Sequence, residues 1–117
     1  MFQKKILRQL SRTGMKNALK TAKRYVEVVE KSGIPITTAF LYGSYAKKSE
    51  NEGSDIDVCI VSPIFGKDYL KESVNLRMLT LKVDSKIEPV AFNPKDINNK
   101  FDSLASEIKR TGINLTS

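Results

Sequence analysis

Residues 43–57 read GSYAKKSENEGSDID, a stretch that opens on Gly-Ser and closes on two aspartates separated by one isoleucine. The residues on either side decide how it is read. Upstream, ITTAFLY (36–42) is rich in β-branched and aromatic types and stops at Gly43, as a strand entering a tight turn does. Downstream, IDVCIV (56–61) gives a second strand. Side chains alternate along a strand, so Asp55 and Asp57 share one face while Ile56 and Val58 point into the core. Two carboxylates side by side repel each other and raise one pKa unless a cation bridges them. Mg²⁺, which takes oxygen ligands, suits the pair.

The Gly-Ser end has its own chemistry. Gly43 has no Cβ to keep backbone amides from a phosphate, and Ser44 adds a hydroxyl donor. A helical turn over 44–48 would aim its free N–H groups at the same phosphates, with Lys47 or Lys48 as the cation. A two-metal site also needs a third carboxylate from a neighbouring element. Glu88, on the only later strand, is the first candidate, with Asp84 in reserve.

Working outward, helix and strand signals alternate without repeats, low-complexity tracts or a linker, which argues for an α/β layer. Met15, Ala18, Leu19, Ala22, Val26 and Val29 follow the spacing of one helical face, and Ser32 with Gly33 stops that helix before Pro35, so 15–31 is expected to be helical. Residues 2–10 read as a separate short helix, with 11–14 as the break or as an N-cap region. Residues 69–81 place Leu70, Val74, Met78 and Leu81 on one face, with Asp68 as N-cap. KIEPVAF (86–92) reads as a third strand, and Pro89 predicts a sheet edge or a local irregularity there. Residues 102–110 read as a last helix stopped by Gly112. The expected fold is α/β (α+β), a small mixed sheet of three to four strands flanked by helices.

With 117 residues and 40% hydrophobic content, one domain over 1–117 is expected, divided into a basic helical segment (1–32) and a core that carries the site (33–117). No segment approaches the roughly 18 to 20 uninterrupted apolar residues of a membrane span, and lysines interrupt residues 1–10, so a cytoplasmic protein without membrane contact is expected. Cys59, the single cysteine, lies between Val58 and Ile60 and reads as a buried hydrophobe. The absence of histidine disfavours zinc hydrolases and Ser-His chemistry, leaving carboxylates to carry any acid, base or metal role. The net charge of +7 is concentrated at the start: residues 1–31 hold nine Lys or Arg against Glu27 and Glu30, and the rest balances at eleven against eleven. Such an arm meets nucleic acid or an acidic protein, or is simply a solvated helix face.

Gly43 and Ser44, ten residues, then Asp55-Ile56-Asp57 resembles the GS-x10-DxD signature of the nucleotidyltransferase superfamily with the DNA polymerase beta fold. LYGSYAKKSENEGSDIDVCIV is similar to that family's strand, Phe-Gly-Ser, small residue, Arg-Gly, and Ser-Asp-Ile-Asp before an apolar strand, with Tyr42 in place of Phe. The likeness runs from about residue 15 to the C-terminus and fits the smallest branch, the minimal nucleotidyltransferases. Two departures stand out. Lys47 and Lys48 replace Arg-Gly, and Glu88 stands where aspartate is frequent, extending its reach by about 1.5 Å.

The resemblance implies two Mg²⁺ ions held by Asp55, Asp57 and Glu88, and ATP or another NTP as substrate, with Gly43, Ser44, Lys47 and Ser54 on the nucleotide. It also implies a helical HEPN-type partner protein, in an antitoxin-to-toxin pair, and a homo- or hetero-oligomer. The leading expectation is transfer of a nucleoside monophosphate, AMP from ATP, to a hydroxyl of that partner. One alternative is a catalytically silent module that neutralises the partner by binding, and another is nucleotide addition to RNA. The chain has almost nothing left over to build an acceptor pocket of its own.

Overall fold

A computed structural model describes residues 2–46 and 55–116, with side chains from residue 14 onward. The chain runs α1 (Phe2–Lys31), β1 (Thr38–Tyr42), β2 (Ile56–Val61), α2 (Tyr69–Thr80), β3 (Ile87–Phe92), α3 (Pro94–Ile97), α4 (Ser103–Thr111) and β4 (Ile113–Asn114). The strands form one mixed sheet in the order β3-β2-β1-β4. β2 runs antiparallel to β1 and parallel to β3, and β4 lies antiparallel to β1. The mixed α/β architecture and the strand count agree with expectation. Among the described residues, no helix is long and apolar enough to cross a membrane.

Strand alternation divides the core in two. On one face Ala39, Leu41, Ile56, Val58, Ile60, Ile87 and Ala91 pack against Ala18, Ala22, Tyr25, Val26 and Val29 of α1 and Leu76 and Leu79 of α2. On the other, Cys59, Val61 and Phe92 pack against Ile97 of α3 and Ala105 and Ile108 of α4, with Phe40, Tyr42 and Val90 partly buried beside them. Cys59 is buried as expected.

The expected inward stripe of α1 holds, with Met15 and Leu19 partly buried at its margin. Tyr25 joins it, its hydroxyl donating 2.7 Å to the Leu76 carbonyl and tying α1 to α2. Lys16, Lys20, Lys23 and Arg24 are exposed on the opposite side. The expected break at residues 11–14 does not occur, because α1 is continuous from Phe2. Gly14 in a helix interior costs about 1 kcal/mol without ending the helix, and no proline stands there to do so.

α2 corrects the orientation that its most regular apolar stripe suggests. Leu70, Val74, Met78 and Leu81 are 54–74% exposed, and the helix is buried instead through Leu76, Leu79 and Thr80 on the opposite side. Asp68 does cap it, accepting from the Lys71 amide at 3.2 Å.

β3 is an edge strand, as Pro89 requires. Ile56 N–H donates to Lys86 C=O and Ser62 N–H to Phe92 C=O, so the even-numbered residues of β3 bond to β2. Pro89 therefore faces outward, where its missing N–H leaves no ladder bond unmade. α4 has the expected stop, and Asp102, read as its first residue, is its N-cap, accepting from the Ala105 amide at 3.0 Å. Four-residue α3 and two-residue β4 are too short to carry a periodic signal.

Candidate functional site

The antiparallel pairing of β1 and β2 places Tyr42 directly opposite Asp57, and the chain turns at Gly43 immediately beyond. Gly43 adopts φ +74°, which disfavours any residue with a Cβ. A Cβ built there would collide with an Asp57 carboxylate oxygen and lie 3.0 Å from the carboxylate carbon. The glycine is thus needed both for the turn and for room beside the aspartate. Residues 43–46 form a turn containing half-buried Ser44. Lys47, Lys48 and Ser54 lie outside the described residues.

Asp55 and Asp57 fall on the sheet face opposite Ile56 and Val58, whose side chains enter the α1/α2 core. Asp57 is half-buried and Asp55 exposed. The parallel register sets Glu88 directly across from Asp57, so all three carboxylates begin on one face at one end of the sheet. Further along that face, α3 and α4 cover Cys59, Val61 and Phe92. The carboxylates lie beyond those apolar contacts, toward the other end of the face.

Electrostatics marks the same spot. Burial, with the charges of Asp55 and Glu88 added, holds the Asp57 carboxyl above the usual carboxylate range. A bound cation relieves that repulsion. The hard oxygen donors on one face therefore fit a divalent ion such as Mg²⁺.

Glu88 has a partner that the sequence reading missed. Arg77, in the last turn of α2, donates from Nη2 to both Glu88 carboxylate oxygens at 3.0 Å and from Nη1 to the Ile87 carbonyl at 2.9 Å. It reaches the outward side of the edge strand to do so. Among the described residues, no three acidic or thiol side chains gather closely enough to hold a metal. Asp84 instead accepts from the Lys86 amide at 2.8 Å within the turn before β3.

A strand, a glycine turn and a return strand bearing paired carboxylates make a frame for handling phosphate groups. The chain belongs to the nucleotidyltransferase domain family, whose model matches residues 22–111, and is therefore a transferase that moves nucleotidyl groups. In three dimensions it resembles a candidate nucleotidyltransferase from Sulfolobus solfataricus whose crystal structure was solved at 1.40 Å. The TM-score is 0.65 at 18% identity, over 89% of this chain and 84% of that one, a likeness of fold. No curated protein matches it in sequence.

Proposed function

We propose that the chain transfers a nucleoside monophosphate from ATP or another NTP to a hydroxyl on a partner protein, with Asp55, Asp57 and Glu88 as the metal-binding carboxylates. The observation that carries this reading is the register of Asp57: opposite Tyr42 and the Gly43 turn on one side, and across from Glu88 on the other. The Gly43 turn, with Ser44, Lys47 and Ser54, cradles the triphosphate. When bound, Mg²⁺ would neutralise phosphate charge and lower the acceptor hydroxyl's pKa. Asp55 and Asp57 would hold that ion and through it position the triphosphate, which bare carboxylates would repel, and either Asp57 or Glu88 takes the proton of the attacking hydroxyl. The new bond joins the acceptor oxygen to the α-phosphorus, the bond to the β-bridging oxygen breaks, and pyrophosphate leaves.

The exposed face of α2 supports a protein acceptor. Leu70, Val74, Met78 and Leu81 form an apolar stripe in solvent, and Val74 and Met78 also line an open groove of about 530 Å³ with Ile34, Ile64 and Phe65. Contiguous exposed apolar surface of this kind marks interaction sites. A helical HEPN-type protein in an antitoxin-to-toxin pair is the partner we assign to it.

The test is incubation of the chain and co-expressed partner with α-labelled ATP and Mg²⁺. Label on the partner, lost in Asp55→Asn/Asp57→Asn, supports the reading. Label on RNA ends instead would establish the RNA alternative. The Arg77 and Glu88 ion pair favours a second reading, a silent module that acts by binding. In that case the partner is neutralised equally by wild type and the double aspartate variant, without label.

A further inference from the structure

Glu88 is placed by β3, but its carboxylate is held by α2. Arg77 grips both carboxylate oxygens with one nitrogen, while the other stays anchored on the outward-facing Ile87 carbonyl. That anchor lies on the free edge of the sheet, so the grip draws Glu88 toward the edge while Asp57 sits one strand inward. Among the described residues the three carboxylates do not close into a metal-binding group. The guanidinium thus sets a positive charge on the carboxylate that a second cation would need.

We infer that Arg77 is a positioning residue that parks Glu88 away from the aspartate pair, so that binding of a second metal ion requires the Arg77 and Glu88 ion pair to open. This rests on the metal-site reading above and adds a device to it. The two side chains are 51% and 42% exposed. Exposed pairs contribute little, so the latch is weak enough for a divalent ion to open and strong enough to register in affinity. The bond from Arg77 to the Ile87 carbonyl does not involve Glu88, so it provides an anchor from which the pair can re-form.

Mn²⁺ binding to the full chain, followed by electron paramagnetic resonance without nucleotide, reads the device directly. Wild type is expected to bind one ion at the aspartate pair and a second more weakly. Arg77→Met, which keeps much of the aliphatic stem, should tighten the second ion roughly 2- to 5-fold, the order expected when an exposed ion pair no longer has to open. Glu88→Gln should lose the second ion, and adding Arg77→Met to it should restore nothing. Arg77→Lys, which cannot hold carbonyl and carboxylate together, should tighten the second ion by less, and it serves as the test variant if Arg77→Met does not fold. Unchanged or weaker second-ion binding in the folded Arg77 variant would overturn the latch and leave the metal site standing. Absence of Mn²⁺ binding in wild type would overturn the metal site and the latch together.

Discussion

The carboxylate of Asp57 occupies the space that any side chain on residue 43 would need. Gly43 lies in the turn just past β1 and Asp57 on β2, so the turn and the proposed metal site share one space, and a side chain at residue 43 would have to displace the carboxylate.

Gly43→Ala should accordingly be among the most damaging small substitutions in the chain. The φ of +74° alone costs of order 1–3 kcal/mol for a residue with a Cβ, and the collision with Asp57 adds to it. Thermal unfolding should show the loss. The double variant Gly43→Ala/Asp57→Ala should cost less than the sum of the singles by at least about 0.5 kcal/mol, since residues in contact do not add.

Asp57 should be a stability liability at neutral pH. Its folded-state pKa is raised, chiefly by burial and then by Asp55 and Glu88, so folding favours its protonated form. The stability it contributes is fully present below its unfolded pKa and is lost as pH rises through the folded pKa. Asp57→Asn should therefore melt above wild type at pH 7. The advantage should vanish in acid. Added Mg²⁺ should raise the melting temperature of wild type and leave that of the variant unchanged.

Cys59 should be silent in the native protein. Burial pushes its thiol up to about 12, so thiolate is scarce at pH 8 and the sulfur is enclosed. A thiol reagent should label it only at the rate of unfolding, and fast labelling in native buffer would contradict this packing.

The outward stripe of α2 should be dispensable for folding. Leu70→Glu and Met78→Lys replace exposed side chains and should change stability by no more than about 0.5 kcal/mol. Co-purification of the proposed partner should be lost in both, while Mn²⁺ binding stays intact.

How far the sequence could be read follows from which residues share an element. The α1 stripe, the limits of β2, the cap Asp68 and the stop at Gly112 were legible because each signal is local. The edge position of β3 was legible because Pro89 lacks a donor. α2 was harder because it carries two apolar sides, Leu70 with Val74 and Met78 on one and Leu76 with Leu79 on the other. The more regular stripe was the exposed one, and only the sheet decides between them. In the site, Asp55, Asp57 and Gly43 belong to one local pattern. The grip of Arg77 on Glu88 joins two elements across the sheet edge, and no spacing announces such a contact. Residues 11–14 misled because glycine weakens a helix without ending it.

Whether the aspartate pair is a working nucleotide-metal site is decided by calorimetric titration of ATP in Mg²⁺. Wild type is predicted to bind in the micromolar to low-millimolar range, with binding lost in Asp55→Asn/Asp57→Asn while the fold is retained. Absence of binding in wild type, or equal binding in the double variant, would contradict the account.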